Sequence, residues 1–169
     1  MIKVQFWGVR GSIPTPVPEI IRYGGDSTCI EVRTGDELII LDAGSGLRRL
    51  GLNLLSRAED QPIKGDIFIT HTHWDHINGF PFFSPAYQQG HEFRIKAGHL
   101  FDKEISLNDI MAGQMNQPTF PVPIETMRSK LIFEDFVAGD SFTLGDGIKV
   151  STALLRHPDN ATGYRIEYA

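Results

Sequence analysis

Three imidazoles and one carboxylate fall within six consecutive residues, His71-Thr72-His73-Trp74-Asp75-His76. In extended backbone, side chains two positions apart project to the same side, so His71 and His73 can grip one ion. Neutral imidazole and carboxylate are ordinary ligands of Zn²⁺. A turn after His73 would aim Asp75 and His76 at a second ion close by. Two ions about 3.5–4 Å apart suit hydrolysis, because together they activate a shared water and clamp the transition state. Without a cation, groups this crowded would be costly to bury. A surface histidine-rich loop is the competing reading. It fits poorly with the apolar run Ile67-Phe68-Ile69 just before the cluster and the aromatic run Phe80-Pro81-Phe82-Phe83 just after it.

The elements that must position these groups follow from hydrophobic period and turn residues. Ile2, Val4 and Phe6 alternate with polar neighbours, giving a strand at 2–7 and then a loop rich in glycine and proline to about residue 26. Arg10, Ser12 and Thr15 in that loop are polar groups that could face a site or simply meet solvent. Residues 27–33 and 38–41 read as a hairpin closed by Thr34-Gly35-Asp36-Glu37. Leu47, Leu50, Leu54 and Leu55 recur at helical spacing, so a helix covers 46–57 with Ser45 as its N-cap. Gly44-x-Gly46 is not a dinucleotide loop, since Arg49 stands where the third glycine belongs. Asp42 ends the strand at 38–41; a carboxylate there either accepts from loop N–H groups or belongs to a site. The strand at 65–70 delivers the histidine run. Further strands are expected at 93–97, 131–136, 141–144, 148–155 and 164–168. A helix is expected over 102–114, an extended loop over 117–123 and a helical turn at 125–130.

The composition excludes several classes. The chain has 169 residues, 41% of them apolar, enough for one domain with a core. A formal net charge of −5 gives no basic face for nucleic acid, which is therefore not an expected partner. A small phosphate ester held by a metal remains open. No run approaches the ~18 apolar residues of a membrane span. A lone cysteine, Cys29, excludes an internal disulfide and fits a reducing, cytoplasmic setting. In such a setting the sequon Asn160-Ala161-Thr162 carries no meaning.

His71-x-His73-x-Asp75-His76 after an apolar strand resembles the signature of the metallo-β-lactamase fold superfamily. Asp42 before a glycine turn resembles its upstream motif, and Arg156-His157-Pro158 its third. Gly8-Val9-Arg10-Gly11-Ser12-Ile13-Pro14 and Asp26-Ser27-Thr28-Cys29 resemble the phosphodiesterase and ribonuclease Z-like branch. The resemblance implies an α/β fold, an αββα sandwich of two mixed sheets with outer helices. It implies His71, His73 and His157 on a first metal, Asp75 and His76 on a second, and Asp42 behind the histidine loop, orienting it. The cofactor implied is Zn²⁺, one ion or two, with Mn²⁺ or Fe as substitutes.

The resemblance also implies a bridging aspartate and a further histidine downstream. Nothing after His157 fills either role, so residues 1–169 read as the N-terminal portion of such a domain, with a sheet edge left open to a partner. A homodimer or a complementing C-terminal segment would supply one. The expected activity is hydrolysis of a phosphodiester, such as a cyclic nucleotide or another small one, through a metal-activated hydroxide, with Asp75 handling the proton. A nuclease of the tRNA 3′-processing type is the alternative within the class. A metal-binding or regulatory domain that keeps only the first site is the alternative outside it. His91 and His99 read as surface or loop-packing residues and Trp74 as a packing anchor. Phe80, Phe82, Phe83 and Tyr87 read mainly as core, with one or two left to wall a pocket.

Overall fold

The computed structural model describes every residue except Ile21, Asp146 and Ala169, and the side chain of Ile20. A six-stranded mixed sheet carries the architecture. Its strands run in sequence order: β1 (Ile2–Gly8), β2 (Cys29–Thr34), β3 (Glu37–Leu41), β4 (Lys64–Ile69), β5 (Glu92–Ala97) and β6 (Lys130–Asp135). β1, β2 and β3 pair antiparallel, whereas β3 to β6 pair parallel. The parallel half therefore brings the C-terminal ends of four strands to one edge. Ligand-bearing loops collect at such an edge in open α/β sheets.

Three helices serve the outer face: α1 (Gly46–Arg57), α2 (Trp74–Ile77) and α3 (Leu107–Gly113). Leu47, Leu50 and Leu54 of α1 and Leu107 and Met111 of α3 join Leu38, Ile40, Ile67, Ile69, Phe93 and Ile95 in the larger core. The inner face packs on a three-stranded antiparallel sheet of β7 (Ser141–Leu144), β8 (Ile148–Leu155) and β9 (Ala161–Tyr168). Val32, Ile39 and Phe68 meet Leu144, Ile148 and Val150 there. The result is a two-sheet α/β sandwich. Ile2, Val4 and Phe6 share the inner face with Thr34, Val32 and Ile30 through their register, yet stand exposed on the edge strand β1.

The expected α1 agrees with the observed helix end to end, but its cap does not. Ser45 makes no capping bond: its Oγ accepts from the Ser27 N–H and donates to Asp26. The helix expected over 102–114 begins only at Leu107. Ser106 and Asp109 form a reciprocal capping box that sets the start, and Ile105 is left exposed. The segment 117–123 is extended only in part: the Asn116 carbonyl accepts from the N–H groups of Thr119 and Phe120 and folds a turn at its start, while Pro123 is extended.

Two buried features make the sheet testable. Glu31 on β2 is 2% exposed and accepts from Arg33 Nε (2.9 Å), Arg57 Nη2 (2.8 Å) and Trp7 Nε1 (2.9 Å). Burial pushes its pKa up, but the hydrogen bonds from Arg33, Arg57 and Trp7 outweigh it and hold the carboxyl below its ordinary value. A folded-state pKa below the unfolded one gives stability that is present above about pH 4.3. That stability is lost as pH falls through the folded value. The urea midpoint of the native chain should fall through that acid window, while Glu31→Gln should start lower and change less. Equal slopes in the two chains would remove Glu31 from the explanation. Separately, a Cβ on Gly79 would lie 2.0 Å from the Gly44 carbonyl oxygen. Gly79→Ala should cost about 2 kcal/mol in urea unfolding, in the range of overpacked sites; an unchanged midpoint would mean the two loops can part freely.

Candidate metal centre

β3 and β4 end side by side, and the site grows from their ends. Chain leaving β3 turns at Asp42, whose φ of +62° is a left-handed conformation that aspartate tolerates. The turn aims the carboxylate at the loop leaving β4. Asp42 Oδ1 accepts from Thr70 N–H (2.8 Å) and Thr70 Oγ1 (2.9 Å), and Asp42 Oδ2 meets His76 Nδ1 at 2.8 Å. Thr70 Oγ1 in turn lies 3.1 Å from His71 Nδ1 and 3.2 Å from His76 Nδ1. Asp42 and Thr70 thus hold one ring nitrogen of His76 and leave Nε2 to face the site. Hydrogen bonding the second nitrogen of a ligating histidine is how proteins fix its tautomer and direction.

After His73 the backbone enters α2, a single turn that reverses the chain so that Asp75 and His76 point back. The reversal is sealed by close packing without side chains. The Ala43 N–H donates to His76 O and the Gly79 N–H to Ala43 O, and a Cβ on Gly44 would lie 2.4 Å from the Asp75 carbonyl oxygen. Asp75 Oδ2 accepts from the Ser12 N–H at 2.8 Å and lies 3.4 Å from His76 Nε2. Ser12 therefore reaches the site through its backbone. Arg10 and Thr15 do not reach it: Arg10 Nε donates to Gly24 O and Thr15 Oγ1 to Ile13 O, inside the same loop.

His157 arrives from the second sheet, in the turn joining β8 and β9. The start of β9 is pinned to the site by Thr162 N–H donating to Thr70 O (2.7 Å) and by Tyr164 Oη donating to Ile69 O (2.7 Å). His71, His73 and His157 each offer one ligand nitrogen, all within 4.8 Å of one another. His157 Nε2 lies 3.2 Å from His73 Nδ1. The ring centroids of His71 and His157 are 4.4 Å apart, and those of His71 and His76 4.0 Å.

The electrostatics divide the cluster in two. Burial, followed by the neighbouring His76, His73 and His157, pushes the His71 pKa down to about 3, which leaves its ring neutral with a lone pair to give. His76 goes the other way: burial opposes its charge, but the bond to Asp42 and the charges of Asp42 and Asp75 raise its pKa above the ordinary value. The donor set of the first group fits a divalent cation. It consists of three imidazoles converging on one point, two from the loop after β4 and one from the distant β8–β9 turn, one buried and two open to solvent. Asp75 and His76 form a neighbouring pair that converges on its own, at 3.4 Å.

Trp74 departs from expectation, and Thr70 and His99 were not expected at the site. Trp74 is no packing anchor but 67% exposed. Asp75, His76 and Ile77 turn inward from the same four-residue helix, and the first side chain has only the outside left. Of the two roles expected for His91 and His99, surface or loop packing, both take the second, for both are buried. His99, just past the end of β5, places Nε2 3.1 Å from Thr72 N and 3.0 Å from Thr72 Oγ1, bracing the loop between His71 and His73. Burial and the nearby His73 push its pKa down to about 4, so it is a neutral ring that can accept from the Thr72 N–H. His91 Nδ1 accepts from Ile63 N–H (3.0 Å), remote from the site in role. Thr70 and His99 carried no sequence signal beyond position, each standing just past an apolar strand.

A model described as the metallo-beta-lactamase superfamily matches residues 22–161. Ribonuclease Z of Prochlorococcus marinus (strain AS9601) is 25% identical over 171 residues, covering 98% of this chain and 49% of that protein. Ribonuclease Z of Pyrococcus abyssi (strain GE5 / Orsay) is 27% identical over 175 residues, covering 99% and 52%. The chain spans about half the length of these curated relatives. Among solved structures, human tRNase Z, short form (ELAC1), superposes with a TM-score of 0.66 at 17% identity over 99% of this chain and 65% of that one. A diphosphatase from the PhnP family gives 0.66 at 16% identity over 98% and 62%. At these identities the structural likeness is one of fold. The family match takes in Asp42, the run from His71 to His76, and His157: the protein belongs to the metallo-beta-lactamase superfamily.

Proposed function

We propose that this protein is a metal-dependent hydrolase of phosphodiester bonds, with His71, His73 and His157 holding a first Zn²⁺ and Asp75 and His76 taking part in a second site. The observation that carries the reading is the convergence of three histidine nitrogens, two from the loop after β4 and one from the β8–β9 turn. A divalent ion held by these three residues would supply Lewis-acid activation of a phosphoryl oxygen and of water. The chain's own residues do the rest. Asp42 and Thr70 fix His76 in one tautomer, and His99 holds the Thr72 backbone so that His71 and His73 keep their spacing. Asp75 Oδ2, anchored by the Ser12 N–H, is the oxygen placed to take a proton beside the histidines. The exposed faces of His73 and His157 leave the centre open on one side, where a phosphate group can approach.

The relatives named ribonuclease Z favour a second reading within the same class, a ribonuclease. They pull against the expectation, drawn from net charge alone, that nucleic acid is no partner. A third reading, a domain that binds one ion and does no chemistry, rests on the fact that, among the described residues, only the three-histidine group gathers as a full set.

Stripped with a chelator, the chain should lose activity on bis(p-nitrophenyl) phosphate and regain it with Zn²⁺ or Mn²⁺; His71→Ala should stay inactive and hold less metal by elemental analysis. A metal-loaded chain without phosphodiesterase activity would sink the reading, and one tightly held ion without turnover would favour the non-catalytic one. Asp42→Asn, folded by circular dichroism, should lower zinc affinity about ten- to hundredfold, the usual loss when the residue behind a ligand is changed. Unaltered affinity would make Asp42 a purely structural acceptor.

A further inference from the structure

Beside the histidines lies a groove that metal chemistry does not use. Trp74, between His73 and Asp75 in the chain, and Phe82, at the single helical turn after Gly79, stand 67% and 52% exposed. With Ile13, Pro14, Arg48 and Asn78 they line a cavity of about 540 Å³. On the other side of Trp74 and Phe82 a smaller cavity of about 390 Å³ runs toward Phe120, whose ring meets Phe82 edge-on at 5.7 Å. The two exposed rings therefore form a ridge, with Phe82 held from behind by Phe120.

Trp74 links the groove to the candidate centre, since it stands between His73 and Asp75 in the chain. The Ser12 N–H binds Asp75 Oδ2, and the next two residues, Ile13 and Pro14, are the groove wall. A ligand with its phosphate at the histidines would have its remaining part within reach of this wall. The lining identifies what that part is. Flat apolar rings at a binding site accept flat partners, and base-on-aromatic stacking tolerates many bases because each has a π-face. Arg48 is exposed on α1, and a guanidinium both stacks on bases and attracts phosphate. Asn78 Oδ1 accepts from Ser27 Oγ at 3.3 Å, which leaves the amide NH₂ as a donor for a base edge. A purely aliphatic group would use none of these polar features.

We propose that this groove is a nucleobase subsite: Trp74 and Phe82 stack the base of a nucleotide whose phosphate lies at the histidine centre. The inference builds on the phosphodiesterase reading for what happens to the phosphate, but binding of the base is separable from it.

The chain has two tryptophans. Trp7→Phe leaves Trp74 as the sole emitter, and the unaltered chain is run in parallel. Adenosine 5′-monophosphate should quench Trp74 emission saturably, ribose 5-phosphate should not, and Phe82→Ala should weaken the quenching about tenfold. Phenyl phosphate, a ring without a base edge, separates a nucleobase site from a general aryl site. Quenching by phenyl phosphate as strong as by the nucleotide would overturn the nucleobase assignment, as would no quenching by either. In turnover, Phe82→Ala should raise KM for 2′,3′-cyclic adenosine monophosphate about tenfold. It should leave kcat, and the KM for glycerol 1,2-cyclic phosphate, unchanged. A chain that hydrolyses both esters without any dependence on the base overturns the subsite and leaves the hydrolase; one that binds the base but hydrolyses neither does the reverse.

Discussion

One buried carboxylate sets the geometry of this molecule's candidate site. Asp42 is 4% exposed, and every strong contact it makes is to the loop that follows β4. A carboxylate removed from water must be met by donors, and breaking a buried charged pair typically costs about 3–5 kcal/mol. Any conformation of residues 70–76 that moves Thr70 or His76 away leaves a buried acceptor of Asp42 without its donor, which costs about 1–3 kcal/mol. The histidine loop is thus held by the need to satisfy Asp42 before any metal arrives. Asp42 can do this because a left-handed turn swings its side chain sideways at the end of β3, and because β3 and β4 are parallel neighbours whose ends coincide.

The same carboxylate explains why adjacent imidazoles behave in opposite ways. His76 touches Asp42 and lies beside Asp75, so a proton on it is welcome. His71 sits 4.0 Å away, between rings, where burial and like neighbours keep it neutral. Neutral nitrogens that converge repel one another through their lone pairs, and a cation between them turns that repulsion into attraction. Metal binding at such a site is coupled to the release of whatever protons the histidines hold. The fold supplies the convergence from two sheets: β9 is stitched to the end of β4 by Thr162 and Tyr164, and His157 comes with it. A loss of packing between the sheets would reach the site through these two bonds.

Much of this was legible in local pattern. The helical spacing of Leu47, Leu50 and Leu54 marked α1, and the apolar run before His71 marked a buried strand, because period and composition decide such segments locally. The convergence of His157 with His71 and His73 was legible only through resemblance, since nothing in the spacing of residues so far apart brings them together. Other features escaped for tertiary reasons. His99 looks like any loop histidine until β5 is placed beside β4, when its ring falls under Thr72. Ser45 carries a capping side chain, but Ser27 and Asp26 compete for its hydroxyl and win. Ser106 and Asp109 did bear a capping-box spacing, a local signal that a simple count of apolar positions over 102–114 overrode.

Trp74 is the residue at which the histidine centre and the groove meet. Burying a large aromatic side chain is worth about 1.5–3 kcal/mol, so an indole left mainly in solvent forgoes stability the core could have used. Its position follows from its neighbours. A one-turn helix that commits three successive side chains to the interior, two of them candidate ligands, must turn the remaining one outward. That geometry would tolerate any polar residue at position 74. An indole there, beside Phe82 and lining a groove whose wall includes Ile13 and Pro14 of the β1–β2 loop, adds apolar surface where solvent reaches it. Contiguous apolar surface that solvent reaches is a mark of binding. The compact turn that aims Asp75 and His76 inward therefore also aims Trp74 at whatever occupies the groove, so ligand placement and side-chain recognition are set by the same four residues.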